Sequence, residues 1–210
     1  AIDRAAEHSN SRAAAESGAA PAVLAYVPEQ SLLVVEYVNG RTWTERDVLD
    51  PVNALRIGAA CRKLHAGPRF VNEFNMLALQ PHYLSIVQQR EFRLPDRYLE
   101  FTEQTHAIAD ALAVQPVATV PCNNDLLAAN FIDTGEHLWL IDYEYSGNNE
   151  ASFELGNIWS ESTLPPELLE ILVAAYWGEA SAARVARARL WALMSKYGWT
   201  LWASIQEGIS

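Results

Sequence analysis

The run Cys122-Asn123-Asn124-Asp125-Leu126-Leu127-Ala128-Ala129-Asn130-Phe131-Ile132, then the turn Asp133-Thr134-Gly135-Glu136, then Leu138-Trp139-Leu140-Ile141-Asp142-Tyr143-Glu144-Tyr145, decides the fold. Two short apolar runs, Phe131-Ile132 and Leu138 to Ile141, flank a polar turn that contains glycine, which is the pattern of a small hairpin. A hairpin brings Asn130 and Asp142 to the same end. Asp125 stands five residues before Asn130 on a loop, so two carboxylates and one amide converge there. Hard oxygen ligands in that number suit Mg²⁺ carrying phosphates, because Mg²⁺ keeps several waters and takes few protein ligands. The aspartate left over can orient a hydroxyl nucleophile. Read apart, Asn-Asn-Asp is a solvated turn and Ile-Asp a strand end; together, in this order, they form a fairly specific signal.

Asp-x4-Asn followed by an aspartate after a hairpin resembles the catalytic and metal loops of the choline/ethanolamine kinase family, which shares its fold with aminoglycoside phosphotransferases. In that family the loop reads His-x-Asp-x4-Asn and the metal strand Ile-Asp-[Phe/Tyr/Trp]-Glu-Tyr. Here Asn123 stands where the family usually has histidine, a scaffold for the loop backbone. The resemblance implies an α+β, protein-kinase-like fold, with a mostly helical C-terminal lobe and a remnant of an N-terminal β lobe. It also implies ATP as co-substrate, Asp125 as the catalytic carboxylate, and Asn130 and Asp142 as holders of Mg²⁺.

Upstream, residues 3–17 read as a helix that ends at Gly18 before Pro21. Glu7 on it resembles the glutamate that pairs with the phosphate-holding lysine of such kinases. The only lysines are Lys63 and Lys196, and Gly18 is the first glycine. The chain therefore reads as a family member without the lysine, the glycine-rich loop and the first strands of its nucleotide lobe. Val23 to Val27 and Leu32 to Val38 read as an antiparallel strand pair closed by Asn39-Gly40. The resemblance makes this end the hinge, with backbone from Glu36 to Val38 hydrogen-bonding adenine. The expected division is a partial nucleotide lobe and hinge over 1–39, and a catalytic and substrate-binding lobe over 40–210.

After the hinge, a polar start at Thr44 to Asp47 precedes a helix over Asn53 to His65, whose histidine reads as structural. Residues 66–97 read as loops and a helix of no inferred role, and Thr102 to Ala113 as another helix. Cys122 reads as a small buried side chain.

Beyond Asp142, Glu154, Asn157 and Glu161 fall within about 60° of arc on one helix. Such a stripe is ordinarily solvated, but its closeness to the metal strand allows it to face the site. Phe153-Glu154-Leu155-Gly156-Asn157 resembles the family's Phe-Asp-[Leu/Ile]-[Ala/Gly]-Asn, whose aspartate braces the catalytic loop; Glu154 is one methylene longer. Glu161 matches the carboxylate facing the choline ammonium, and Tyr145 a tyrosine of the choline cage.

Helices are expected from about Pro166 to Trp177 and from Ser181 towards Ile205, with a bend at Gly198. Trp199 and Trp202, three apart, share one helix face. A quaternary ammonium has no N–H to donate, so aromatic faces bind it best, at ~0.5–2 kcal/mol per contact. Tryptophans at helical spacing are ordinarily core, the reading taken for Trp177 and Trp191. Trp199-Thr200-Leu201-Trp202-Ala203-Ser204-Ile205-Gln206 resembles the Trp-x-x-Trp segment of the choline cage.

The 210 residues are 50% hydrophobic and 10% aromatic, enough for a sizeable core. No run approaches ~18 consecutive apolar residues, and Ala1-Ile2-Asp3-Arg4 lacks a leader's apolar segment, so a cytoplasmic protein is expected. Two cysteines give neither a disulfide framework nor zinc spacing. A net charge of −11 argues against nucleic acid and is compatible with a cationic substrate. The reading is Mg²⁺-dependent transfer of the ATP γ-phosphate to choline or ethanolamine. Alternatives are an aminoglycoside or other small-molecule phosphotransferase, and a catalytically silent binding protein, motivated by the missing lysine and glycine loop.

Overall fold

The structure, a computed structural model, describes residues 2–209; Ala1 and Ser210 lie outside them. Helix α1 (Arg4–Ser17) starts where Asp3 accepts the N–H groups of Ala5 and Ala6, and stops at Gly18, left-handed at φ 76°. Strands β1 (Val23–Val27) and β2 (Leu32–Val35) form an antiparallel pair. β2 ends three residues short of the expected Val38: the Glu36 N–H on the Ala22 carbonyl is the last cross-strand bond, and the Val38 carbonyl is already taken by the Gly40 N–H in a turn.

Then follow β3 (Arg41–Thr42), the single turn α2 (Glu45–Val48) and α3 (Pro51–His65). α3 begins before the expected Asn53, since Asp50 caps the Val52 N–H and Pro51 takes the first helical position. The stretch of no inferred role contains α4 (Met76–Gln89), capped by Asn75, and α5 (Thr102–Ala113) comes after it.

The central hairpin is β5 (Phe131–Asp133) against β6 (Leu138–Leu140), with β3 on its outer edge. β4 (Val120–Cys122) pairs with β7 (Gly147–Asn149), so the segments entering the loop and leaving the hairpin run side by side. Helices α6 (Ala151–Glu161), α7 (Pro166–Trp177) and α8 (Ala182–Ile209) complete the chain.

α6 is the axis of the fold. Phe153, Leu155 and Ile158 are fully buried, each contributing roughly 1.5–3 kcal/mol of burial. One side of α6 joins the main core of α3, α7 and the hairpin; the other meets Phe74, Met76, Trp191 and Met194. A Cβ at Gly156 would lie 2.2 Å from the Ala188 carbonyl oxygen, so glycine there lets α6 and α8 touch.

α8 runs unbroken through Gly198, contrary to the expected bend. A Cβ at that position would meet Met76 Sδ at 2.1 Å, so this glycine admits α4 instead of kinking the helix. Trp191 is core, with its N–H on Glu150 at 2.9 Å. Trp177, expected in the core, is only half-buried and carries the Arg184 guanidinium over its ring. Among the described residues no helix is long and apolar enough to cross a membrane.

Candidate active site

The loop after β4 is held from three sides. Asn123 is fully buried; its Nδ2 donates to the carbonyls of Ile141 (3.1 Å) and Asp142 (2.7 Å), and its Oδ1 accepts the Asp125 N–H (3.0 Å). One amide thus ties the loop to the hairpin strand and fixes the Asp125 turn. Asn124 sits in the left-handed region at φ 69°, which asparagine tolerates better than most residues. Its side chain donates to the Tyr145 and Gly147 carbonyls and accepts from Asn149. From α6, the buried Glu154 accepts the N–H groups of Asn123 (3.2 Å) and Asn124 (3.3 Å). A carboxylate one methylene longer than aspartate still reaches both amides.

Asn130 pairs with Ile141, one residue beyond the last rung of the hairpin, through the Ile141 N–H at 3.0 Å. Asp142 comes next and is exposed, in the left-handed region at φ 64°. Unfavourable backbone at such a carboxylate is the kind of strain that clusters at working sites. The buried Asn130 donates its Nδ2 to the Asp125 carbonyl at 2.7 Å, so its amide oxygen is the end that can serve as a ligand.

The Asp125 carboxyl is pushed up to about 7, first by burial and then by Asp142, Glu144, Glu161 and Glu154. So many like charges around one partly buried carboxyl form a site that a cation would relieve. Carboxylates with an amide oxygen are the donor chemistry of a hard divalent ion, so this set fits Mg²⁺.

Two clefts share Glu7 and flank the segment that carries Asp142 to Tyr145. The first, of about 500 Å³, is lined by Ala20, Pro21, Leu33, Val35, Ile132 and Ile141, with the 36–38 backbone on one side and Asp142 and Glu7 also in its wall. The Glu36 N–H and the Val38 carbonyl are taken by Ala22 and Gly40. Among the described residues nothing bonds the Glu36 carbonyl or the Val38 N–H, an acceptor and a donor two residues apart beside an apolar slot. Glu7 is paired with Arg4 at 2.6 Å; Lys63 packs against Gly18 and Lys196 lies on α8.

The second cleft, of about 620 Å³, lies between α1, α4 and α8 and is lined by Tyr83, Tyr145 and Trp202 with the carboxylates Asp3, Glu7 and Glu144. Tyr145, Trp199 and Trp202 stand nearly edge-on to one another, with centroids 5.2, 6.0 and 6.1 Å apart at 74°, 88° and 90°. Neither Trp199, which packs behind Tyr145 and Trp202, nor Glu161 is among this cleft's lining residues. Glu161 lies in a separate hollow with Trp43 and Leu127, and the Lys196 Nζ is 3.8 Å from it.

Two residues do more than the sequence assigns to them. Asn157 accepts the Trp199 N–H at 3.2 Å and the Ser195 hydroxyl, and donates to the Asn124 carbonyl at 3.3 Å, joining aromatic wall to loop. The polar stripe on α6 pointed to it without naming these partners. Tyr83, on α4, carried no sequence signal.

A family model described as choline/ethanolamine kinase matches residues 1–169. A thiamine kinase of Escherichia coli strain SMS-3-5 is 29% identical over 190 residues, covering 85% of this chain and 64% of that protein. The chain thus spans just under two thirds of that relative's length. The crystal structure of a choline/ethanolamine kinase family protein from Mesorhizobium loti superposes with a TM-score of 0.90 at 34% identity, covering 98% of this chain and 70% of that one. The GDP complex of aminoglycoside 2'-phosphotransferase-IIIa shares the fold alone, with a TM-score of 0.70 at 13% identity, over 98% of this chain and 80% of that one.

Proposed function

The chain belongs to the choline/ethanolamine kinase family, with the α+β, protein-kinase-like fold its motifs resemble, and on that premise we propose Mg²⁺-dependent transfer of the ATP γ-phosphate to the hydroxyl of choline. The observation that carries the choline reading is the pair Tyr145 and Trp202, two nearly perpendicular rings in the wall of the second cleft, with Trp199 packed edge-on against both. A trimethylammonium head offers no N–H but has methyl groups on every side, and mutually perpendicular faces suit it. Glu161 and the carboxylates of the cleft add a negative field, and the Trp199 N–H bond to Asn157 holds one wall still.

On the other side, the apolar slot takes the adenine, with the Glu36 carbonyl accepting and the Val38 N–H donating at its edge. Asn130 and Asp142 would hold Mg²⁺, which when bound would neutralise charge on the nucleotide's phosphates. Asp125 accepts a hydrogen bond from the acceptor hydroxyl and aims its oxygen at the γ-phosphate. A carboxyl held near neutrality is also well matched to receive that proton. Glu154 and Asn123 keep the loop in the shape that aims Asp125. Glu7, paired here with Arg4, stands between the two clefts as a support. Residues 1–39 serve as part of the nucleotide lobe and 40–210 as the catalytic and acceptor lobe, in a cytoplasmic setting.

A second acceptor, thiamine, is favoured by the cleft's size. About 620 Å³ bounded by Tyr83, Tyr145 and Trp202 admits a flat, cationic two-ring alcohol as well as choline, and a thiamine kinase is among the relatives. ADP release with ATP and Mg²⁺ against choline, ethanolamine, thiamine and kanamycin tests both. Turnover with choline or thiamine that is lost in Asp125→Asn supports the proposal; no turnover with any of them, from folded protein, refutes it and favours a silent binding role.

A further inference from the structure

Behind the loop, the last residue of α3 meets the Glu154 brace. His65 is 6% exposed; its Nε2 lies 3.5 Å from Cys122 Sγ and 3.8 Å from a Glu154 oxygen, and its Nδ1 lies 2.9 Å from the Tyr176 hydroxyl on α7. The candidate ligand atoms of His65, Cys122 and Glu154 all fall within 4.8 Å of one another. Glu154 already receives the Asn123 and Asn124 amides, and burial holds the Cys122 thiol well above its usual range. Metal ligation needs a thiolate, so this trio favours a hydrogen-bonded network over a metal centre.

The Tyr176 phenol keeps its proton, burial pushing it up, and its hydroxyl is placed to donate to Nδ1 at 2.9 Å. With Nδ1 accepting from Tyr176, the ring N–H falls on Nε2, facing the thiol and the carboxylate.

We propose that His65 is a positioning residue for phosphoryl transfer: fixed by Tyr176, its imidazole holds the Cys122–Glu154 pair, and through it the two backbone amides that set where Asp125 points. It acts through Glu154 and touches no substrate. The inference rests on the phosphotransferase reading above, while its first readout is independent of turnover.

Amide exchange at Asn123 and Asn124 would be followed by NMR in wild type, His65→Gln, His65→Leu and Tyr176→Phe. Glutamine keeps an N–H near the Nε2 position, and leucine fills the space without one. His65→Leu is expected to speed exchange at these two amides roughly 10-fold, leaving amides of the α6–α8 contact unchanged, while His65→Gln stays near wild type. In the transfer assay kcat falls roughly 10- to 100-fold in His65→Leu, with KM for choline changed less than about threefold, and glutamine restores most of it. Exchange that is equally fast throughout the chain, or no difference between the leucine and glutamine variants, overturns the proposal. If His65→Leu does not fold, Tyr176→Phe decides: unaltered exchange at Asn123 and Asn124 overturns the role. A wild type without turnover would count against the phosphotransferase reading and leave the amide comparison standing.

Discussion

Replacing Asp125 by asparagine should abolish transfer and at the same time stabilise the empty protein. Its carboxyl keeps its proton to about pH 7, against an ordinary 3.8, because it is mostly buried and faces Asp142, Glu144, Glu161 and Glu154. That difference disfavours the ionised form by up to roughly 4 kcal/mol, at 1.36 kcal/mol per pH unit. The folded chain binds the proton more tightly than the unfolded one. Below about pH 4 both states are protonated and the penalty is absent; it grows as pH rises from 4 to 7 and is complete above 7. Asparagine, which cannot ionise, never meets it. Urea unfolding of Asp125→Asn in EDTA should therefore give a gain of about 2–4 kcal/mol at pH 8 that shrinks towards zero near pH 4. An unchanged stability at pH 8, or a gain as large at pH 4, would refute the electrostatic account of this site.

Three further outcomes follow from the geometry. Gly156→Ala places a Cβ 2.2 Å from the Ala188 carbonyl oxygen, so α6 and α8 must separate; a loss of about 3 kcal/mol, or roughly 6–12 °C in Tm, is expected by calorimetry. Asn157→Leu removes the partner of the Trp199 N–H, the Ser195 hydroxyl and the Asn124 carbonyl. It should cost about 2–4 kcal/mol of stability and weaken choline binding more than roughly tenfold in titration calorimetry. Lys196→Met frees Glu161 from its 3.8 Å neighbour; choline affinity should rise about two- to fivefold, with no change for an uncharged ligand, as fits a solvent-screened pair.

The loop and the hairpin were legible because their chemistry is local. Asp-x4-Asn and Ile-Asp bracket a glycine turn whose register brings Asn130 opposite Ile141. The ends of α1 and α7 were legible too, since Gly18 and Gly178 take left-handed caps that glycine adopts without cost. What escaped was tertiary. Gly198 reads as a helix breaker by propensity, yet its role is to accept the sulfur of Met76 from a helix more than a hundred positions earlier. The anchoring roles of Asn124 and Asn157 depend on partners far apart in the chain, which no spacing rule encodes. The Arg4–Glu7 pair was equally hidden, because expectation looked for a lysine. The placement of Glu161 beside Lys196 follows from how α6 and α8 dock, which sequence periodicity does not specify.

The most direct test of the ammonium pocket is calorimetric titration of the full chain with choline and with 3,3-dimethylbutan-1-ol, its uncharged isostere, with Trp202→Ala beside the wild type. Two ring faces, Tyr145 and Trp202, at about 0.5–1 kcal/mol each predict that choline binds roughly 5- to 30-fold more tightly than the isostere, and that the preference drops in the variant. Equal affinity for the two ligands, or no binding of choline by folded protein, would contradict the account.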